Sequence, residues 1–125
     1  MAQGVRIYEA AARSSGIFGR VVCSARNHHL VVDGPVQNGC PGEEITPAEL
    51  FLAGVATCAV ELVEVLAREF GFPAPRVQAH ITGTVDRSAP VRQDLTVFNA
   101  VRLDLVLSGV SAAQAETLVE AFQRR

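Results

Sequence analysis

Apolar residues crowd into one stretch of this chain and alternate with polar ones in most of the others. The crowded stretch is Thr46 to Phe70, TPAELFLAGVATCAVELVEVLAREF. From Leu50 to Val60 it is apolar on every side, the pattern of a buried helix rather than a surface one. Polar residues resume at Glu61, Glu64, Arg68 and Glu69. The start is marked by Thr46 as N-cap, Pro47 at the first helical position and Glu49 three residues past the cap, which together make a capping box. Gly71 marks the end, with Pro73 and Pro75 beyond it.

Elsewhere the period is two. Val5 to Ala12 reads as a first strand, broken by Ser14, Ser15 and Gly16. Arg20 to Ala25 is a second, with Asn27 as turn residue, and His29 to Val32 a third, ended by Asp33, Gly34 and Pro35. Val36 to Ile45 is a loop punctuated by Gly39, Pro41 and Gly42. After the long helix, Arg76 to Asp86 alternates again, and Arg87 to Gln93 is a polar turn. Leu95 to Leu107 follows as a strand with Val101, Leu103, Leu105 and Leu107 on one face. Ser111 and Gln114 cap a second helix, whose apolar face is Ala115, Leu118, Val119 and Phe122. Three strands, a helix, two strands and a helix predict an α+β fold with antiparallel sheets around a long buried central helix. A chain of 125 residues suits a single domain spanning 1–125. Two small sheets and one amphipathic helix are little cover for a helix apolar all round, so a homodimer that buries it is inferred.

Composition narrows the function. The net charge of −2 gives no sign of a nucleic-acid partner. With no Trp and one Tyr, aromatic platforms for stacking bases are not expected either. No stretch reads as long and uniformly apolar enough to cross a membrane, and the first ten residues lack the apolar core of a signal peptide. A cytoplasmic location is therefore the default expectation. Three cysteines at irregular spacing do not suggest a disulfide framework. His28, His29 and His80 have no zinc-ligand spacing, and no glycine-rich phosphate loop is present. Neither a metal nor an organic cofactor is expected.

Cys58 is the first candidate for chemistry. A free cysteine is a common core filler. The helix dipole, felt only within the first turn, does not reach it, so a thiolate there requires an arginine from elsewhere. Arg13, Arg20, Arg26 and Arg76 are available, and spacing does not choose among them. Glu49 has its capping role and, additionally, could orient such an arginine. Glu64 and Arg68 read as an i, i+4 pair. Cys40, in the turn-like NGCPG, should be exposed, and Cys23 reads as strand packing.

The run VVDGP at Val31 to Pro35, a glycine-containing loop, and then TPAELFLAGVATC at Thr46 to Cys58 resembles the OsmC/Ohr family of thiol-dependent organic hydroperoxide reductases. The likeness extends over nearly the whole chain, with the Pro-to-Cys segment the most specific part. It implies an intertwined homodimer with two long helices at its centre, and it makes Cys58 the counterpart of the peroxide-attacking cysteine. There are departures. Ala48 stands where the peroxidase branch has a glutamate directly after the motif proline, with Glu49 one position on. Aligning on Gly19 and Arg20 puts Ile17 near the place of the family's arginine, leaving Arg13 or Arg20 as substitutes. The family's second cysteine, in a Cys-Pro pair after the last helix, is expected where this sequence reaches Arg125. The resemblance thus implies reduction of organic hydroperoxides by Cys58, with Cys40 or an external thiol to restore it. The alternative is a non-catalytic dimer holding a small apolar ligand in the cleft between subunits.

Overall fold

The computed structural model describes residues 4–94 and 96–125. They form two compact units, Met1–Leu50 and Phe51–Arg125, so the boundary falls within the first turn of the long helix.

The first unit is a three-stranded antiparallel sheet in the order β1 (Ala11–Ser14), β2 (Arg20–Ala25) and β3 (His28–Asp33). The β2–β3 connection is two residues long. Its left-handed residue is Arg26, at φ 55°, rather than the Asn27 that turn chemistry favours. The first strand is shorter and later than the alternation suggests. Its ladder to β2 runs only from Ala11, opposite Ser24, to Ser14, opposite Val21. The pairing stops near the end of β2, so among the described residues the alternating ones before Ala11 have no strand beside them. Val5, Ile7 and Tyr8 stand 92%, 80% and 84% exposed.

One ion pair closes this unit. Arg20 and Asp33 are cross-strand partners at the end of the β2–β3 ladder. Arg20 donates from Nε to Asp33 Oδ1 at 2.8 Å and from Nη2 to Asp33 Oδ2 at 2.9 Å. Nη2 also reaches Glu43 at 2.8 Å. The Asp33 carboxylate, fully buried, accepts two more bonds from the backbone N–H groups of Glu43 and Glu44, at 3.0 and 2.9 Å. Its own backbone N–H donates to Ile45 at 3.0 Å. Asp33 therefore ties the loop that leads into the long helix onto the hairpin. Within that loop, Val36–Asn38 makes a single 3-10 turn.

The helix itself, α1 (Pro47–Glu69), starts as the sequence predicts. The Glu49 backbone N–H donates to Thr46 Oγ1 at 3.3 Å, and the Thr46 backbone N–H donates to Glu49 Oε1 at 2.9 Å. It ends in a Schellman motif: Phe72 N–H donates to the Ala67 carbonyl at 2.9 Å and Gly71 N–H to that of Arg68 at 3.1 Å. Gly71 takes the left-handed φ of 72° that this ending requires.

The second unit pairs β4 (Arg76–Thr84) with β5 (Ala100–Ser108) and adds α2 (Ala112–Gln123), capped by Ser111 and Gln114. The strands stop short of their expected ends because Asn99 intervenes. Its Oδ1 accepts from Asp86 N–H at 2.7 Å and its Nδ2 donates to the Ala89 carbonyl at 2.6 Å, which ties the residues just after β4 to Asn99. Leu95, part of the expected fifth strand, lies outside the described residues. The core of the unit is Val63, Leu66 and Ala67 of α1 with Leu118 of α2, flanked by Phe72, Val77, Leu105, Leu107, Ala121 and Phe122.

Two expectations about α1 change. It is 23 residues long with an 18-residue window of mean hydropathy 2.0, long and apolar enough to cross a membrane by length and composition, because Glu61 and Glu64 are too few to break the run. One face nevertheless packs on α2, β4 and β5, as in a core helix. The helix is also not buried all round by its own chain: only Ala59, Val63, Leu66 and Ala67 are buried.

Two predictions follow from the loop clasp and the cap. The Arg20 hydrogen bonds, helped by the two backbone N–H groups, hold the Asp33 carboxyl below the usual carboxylate range. Its folded pKa is thus lower than its unfolded one. The stability it contributes is complete above the ordinary carboxylate pKa of about 4 and is lost as pH falls from there toward the depressed value. Urea titrations should show a midpoint lowered at pH 7 in Asp33→Asn, with a flatter acid limb than in the wild type. For the cap, Thr46→Ala should cost about 1 kcal/mol in the same titration, and an unchanged midpoint would remove Thr46 from that role.

Candidate functional site

Helical geometry sets the surroundings of Cys58. Phe51, Val55, Cys58, Leu62 and Val65 follow one another at intervals of four and three residues, which places them in a single stripe along α1. Four of the five are exposed, and Leu62 is half-buried. Cys58 itself is exposed, not buried as the apolar run suggests, because the chain covers only the neighbouring face. At the N-terminal end of the stripe, Phe51 stacks on Phe98, with ring centroids 6.0 Å apart. Phe98 in turn fills the space beside Gly83, where a Cβ would lie 2.5 Å from its ring. On the other flank of Cys58, Ala56, Thr57, Val60, Glu61, Glu64 and Ala79 line a shallow, mainly apolar groove of about 270 Å³.

Glu61, one turn on from Cys58, and Glu64 are both exposed. The expected pair of Glu64 with Arg68 is not formed. Instead, the ion pair at this end of α1 joins Glu69 to Arg125 of the chain's last turn, at 3.1 Å. Among the described residues, no three His, Cys, Asp or Glu side chains converge to hold a metal ion.

The other candidates are placed by unit. Arg20 is engaged by Asp33 and Glu43, and its pKa is raised, chiefly by the side-chain hydrogen bond to Asp33. Arg13 lies in β1 opposite Val22 and is exposed. Glu49 Oε1 takes both the Thr46 backbone N–H and the Thr46 hydroxyl, at 2.9 and 3.0 Å, and these bonds lower its pKa. Arg26 occupies the β2–β3 turn, and Arg76 opens β4. Cys23 is half-buried opposite Leu30.

Cys40 differs from its expected exposure. Its side chain is half-buried because it fits against two glycines, Gly19 and Gly34. A Cβ on either would collide with Cys40 Sγ. Gly34 N–H donates to the Gly19 carbonyl at 2.8 Å, so the two glycines form a floor just beside the Arg20–Asp33 pair. Asp33 is the residue that sequence reasoning passed over, reading it only as the end of a strand. Its signal was an acid and an arginine at opposite ends of a tight hairpin, where the register makes them partners.

Comparison with known proteins bears on both halves of this picture. The family model for OsmC-like protein matches residues 40–125. No curated protein matches the chain. Among solved structures, the chain is similar to an OsmC-like protein from Mycoplasma pneumoniae, with a TM-score of 0.79 at 14% identity, covering 96% of this chain and 82% of that one. It is similar to an organic hydroperoxide resistance protein OsmC from Legionella pneumophila, with a TM-score of 0.70 at 22% identity, covering 98% and 85%. The organic hydroperoxide resistance protein OhrB of Bacillus subtilis gives a TM-score of 0.60 at 21% identity, covering 95% and 84%. Identities this low establish a shared fold.

The packing of Cys40 carries its own prediction. Gly34→Ala should lower stability by roughly 1–3 kcal/mol, the usual range for overpacking. Adding Cys40→Ala should recover part of that loss by removing the colliding sulfur. Equal denaturation midpoints for Gly34→Ala and wild type would show that Cys40 does not occupy this floor.

Proposed function

The chain belongs to the OsmC-like protein family, and on that premise we propose that it reduces organic hydroperoxides through Cys58. The observation that carries the reading is Cys58 itself: an exposed thiol set in an apolar stripe of α1, at the end of the Pro-to-Cys segment. Two of the structures it resembles are organic hydroperoxide resistance proteins.

In the proposed reaction the Cys58 thiolate attacks the peroxide oxygen farther from the organic group. The O–O bond breaks and an alkoxide leaves, which takes a proton to become the alcohol. Cys58 is left as a sulfenic acid, the first rung of thiol oxidation. An external thiol then condenses with it, releasing water and forming a mixed disulfide. A second thiol reduces that disulfide and restores Cys58. Cys40, packed against its two glycines, is the less accessible of the two proposed reductants. The thiolate needs a cation. Arg20 is already held by two carboxylates, so Arg13 is the arginine proposed for that role. Glu49 is occupied by Thr46. The apolar stripe favours peroxides with an organic group over hydrogen peroxide. No metal or organic cofactor takes part in this chemistry, and its free thiols suit a reducing, cytoplasmic compartment.

We extend the proposal to a homodimer. Phe51, Val55 and Val65 are 60%, 39% and 36% exposed on one helix face. The segment before Ala11 adds Val5 and Ile7, which alternate with Arg6 and Tyr8, and among the described residues no strand lies beside it. A second copy would cover the first and pair with the second. The interface should exceed the roughly 1,200–2,000 Å² of standard complexes. Sedimentation at micromolar concentration should give a dimer, and Val55→Glu should shift it toward monomer. A monomeric wild type would refute this part.

The chemistry is tested by mass spectrometry after one equivalent of an alkyl hydroperoxide in the presence of a sulfenic-acid trap. The trap should label Cys58 in the wild type and nothing in Cys58→Ser. Labelling mainly at Cys40, or equal labelling in both proteins, would overturn the peroxidase reading. An apolar small molecule retained in native mass spectra would then favour a ligand-binding dimer.

A further inference from the structure

We draw no further inference here: the strongest candidate, the groove beside α1 lined by Glu61, Glu64, Val65, Arg68, Phe72 and Pro75, borders the helix face already described around Cys58, and nothing in the structure shows what covers it.

Discussion

A helix with apolar residues on nearly every side must be covered on nearly every side, and one copy of this chain covers α1 along one face. Burial of an apolar side chain is favourable by about 25 cal/mol per Å² removed from water. The buried residues Val63, Leu66 and Ala67 collect that gain against α2 and the β4–β5 sheet. The adjoining row, Phe51 to Val65, collects only part of it within the chain. Cys58 lies in this second row, so whatever covers the row also sets the dielectric, the access and the chemistry of the thiol. This is why oligomeric state and activity are linked in the proposed function.

The first unit is organised by a different force. Asp33 carries a charge that its burial opposes, and it is kept there by a forked arginine and two backbone N–H groups. Removing one partner of such a group leaves the other charge unsatisfied, which costs far more than the pair is worth against an apolar replacement. The return is geometric. Asp33 fixes the loop from Gly34 to Ile45, and that loop delivers Thr46 to its place as the cap of α1. Cys40 shares the same loop, and its fit against Gly19 and Gly34 leaves no room for a side chain at either glycine.

Much of this was legible in the sequence, for physical reasons that act locally. Capping boxes are short-range, so Thr46 with Glu49 and Ser111 with Gln114 could be read directly and both are present. Strand interiors with strict alternation, such as Arg76 to Thr84, were equally plain. Several of the misses involve partners distant in sequence. The segment before Ala11 alternates like a strand, yet β2 ends before it can pair. Asn99 captures backbone groups that alternation assigned to the ladder. Cys40 looked exposed from its turn-like neighbours because the glycines that receive it lie six and more positions away. At the proposed site, Cys58 is read from the Pro-to-Cys segment, and its exposure is visible only in the structure. The engagement of Arg20 depends on register, which a sequence shows only once the hairpin is known.

The central claim is that Cys58 is a thiol tuned for organic peroxides by its apolar setting. The measurement that meets it most directly is the second-order rate of Cys58 oxidation by cumene hydroperoxide and by hydrogen peroxide, followed in stopped flow on the intact protein. The account predicts that the organic peroxide reacts faster by roughly tenfold or more, the equivalent of about 1.4 kcal/mol or more in the barrier, and that the fast phase is absent from Cys58→Ser. Equal rates for the two peroxides, or a fast phase that survives in Cys58→Ser, would contradict it.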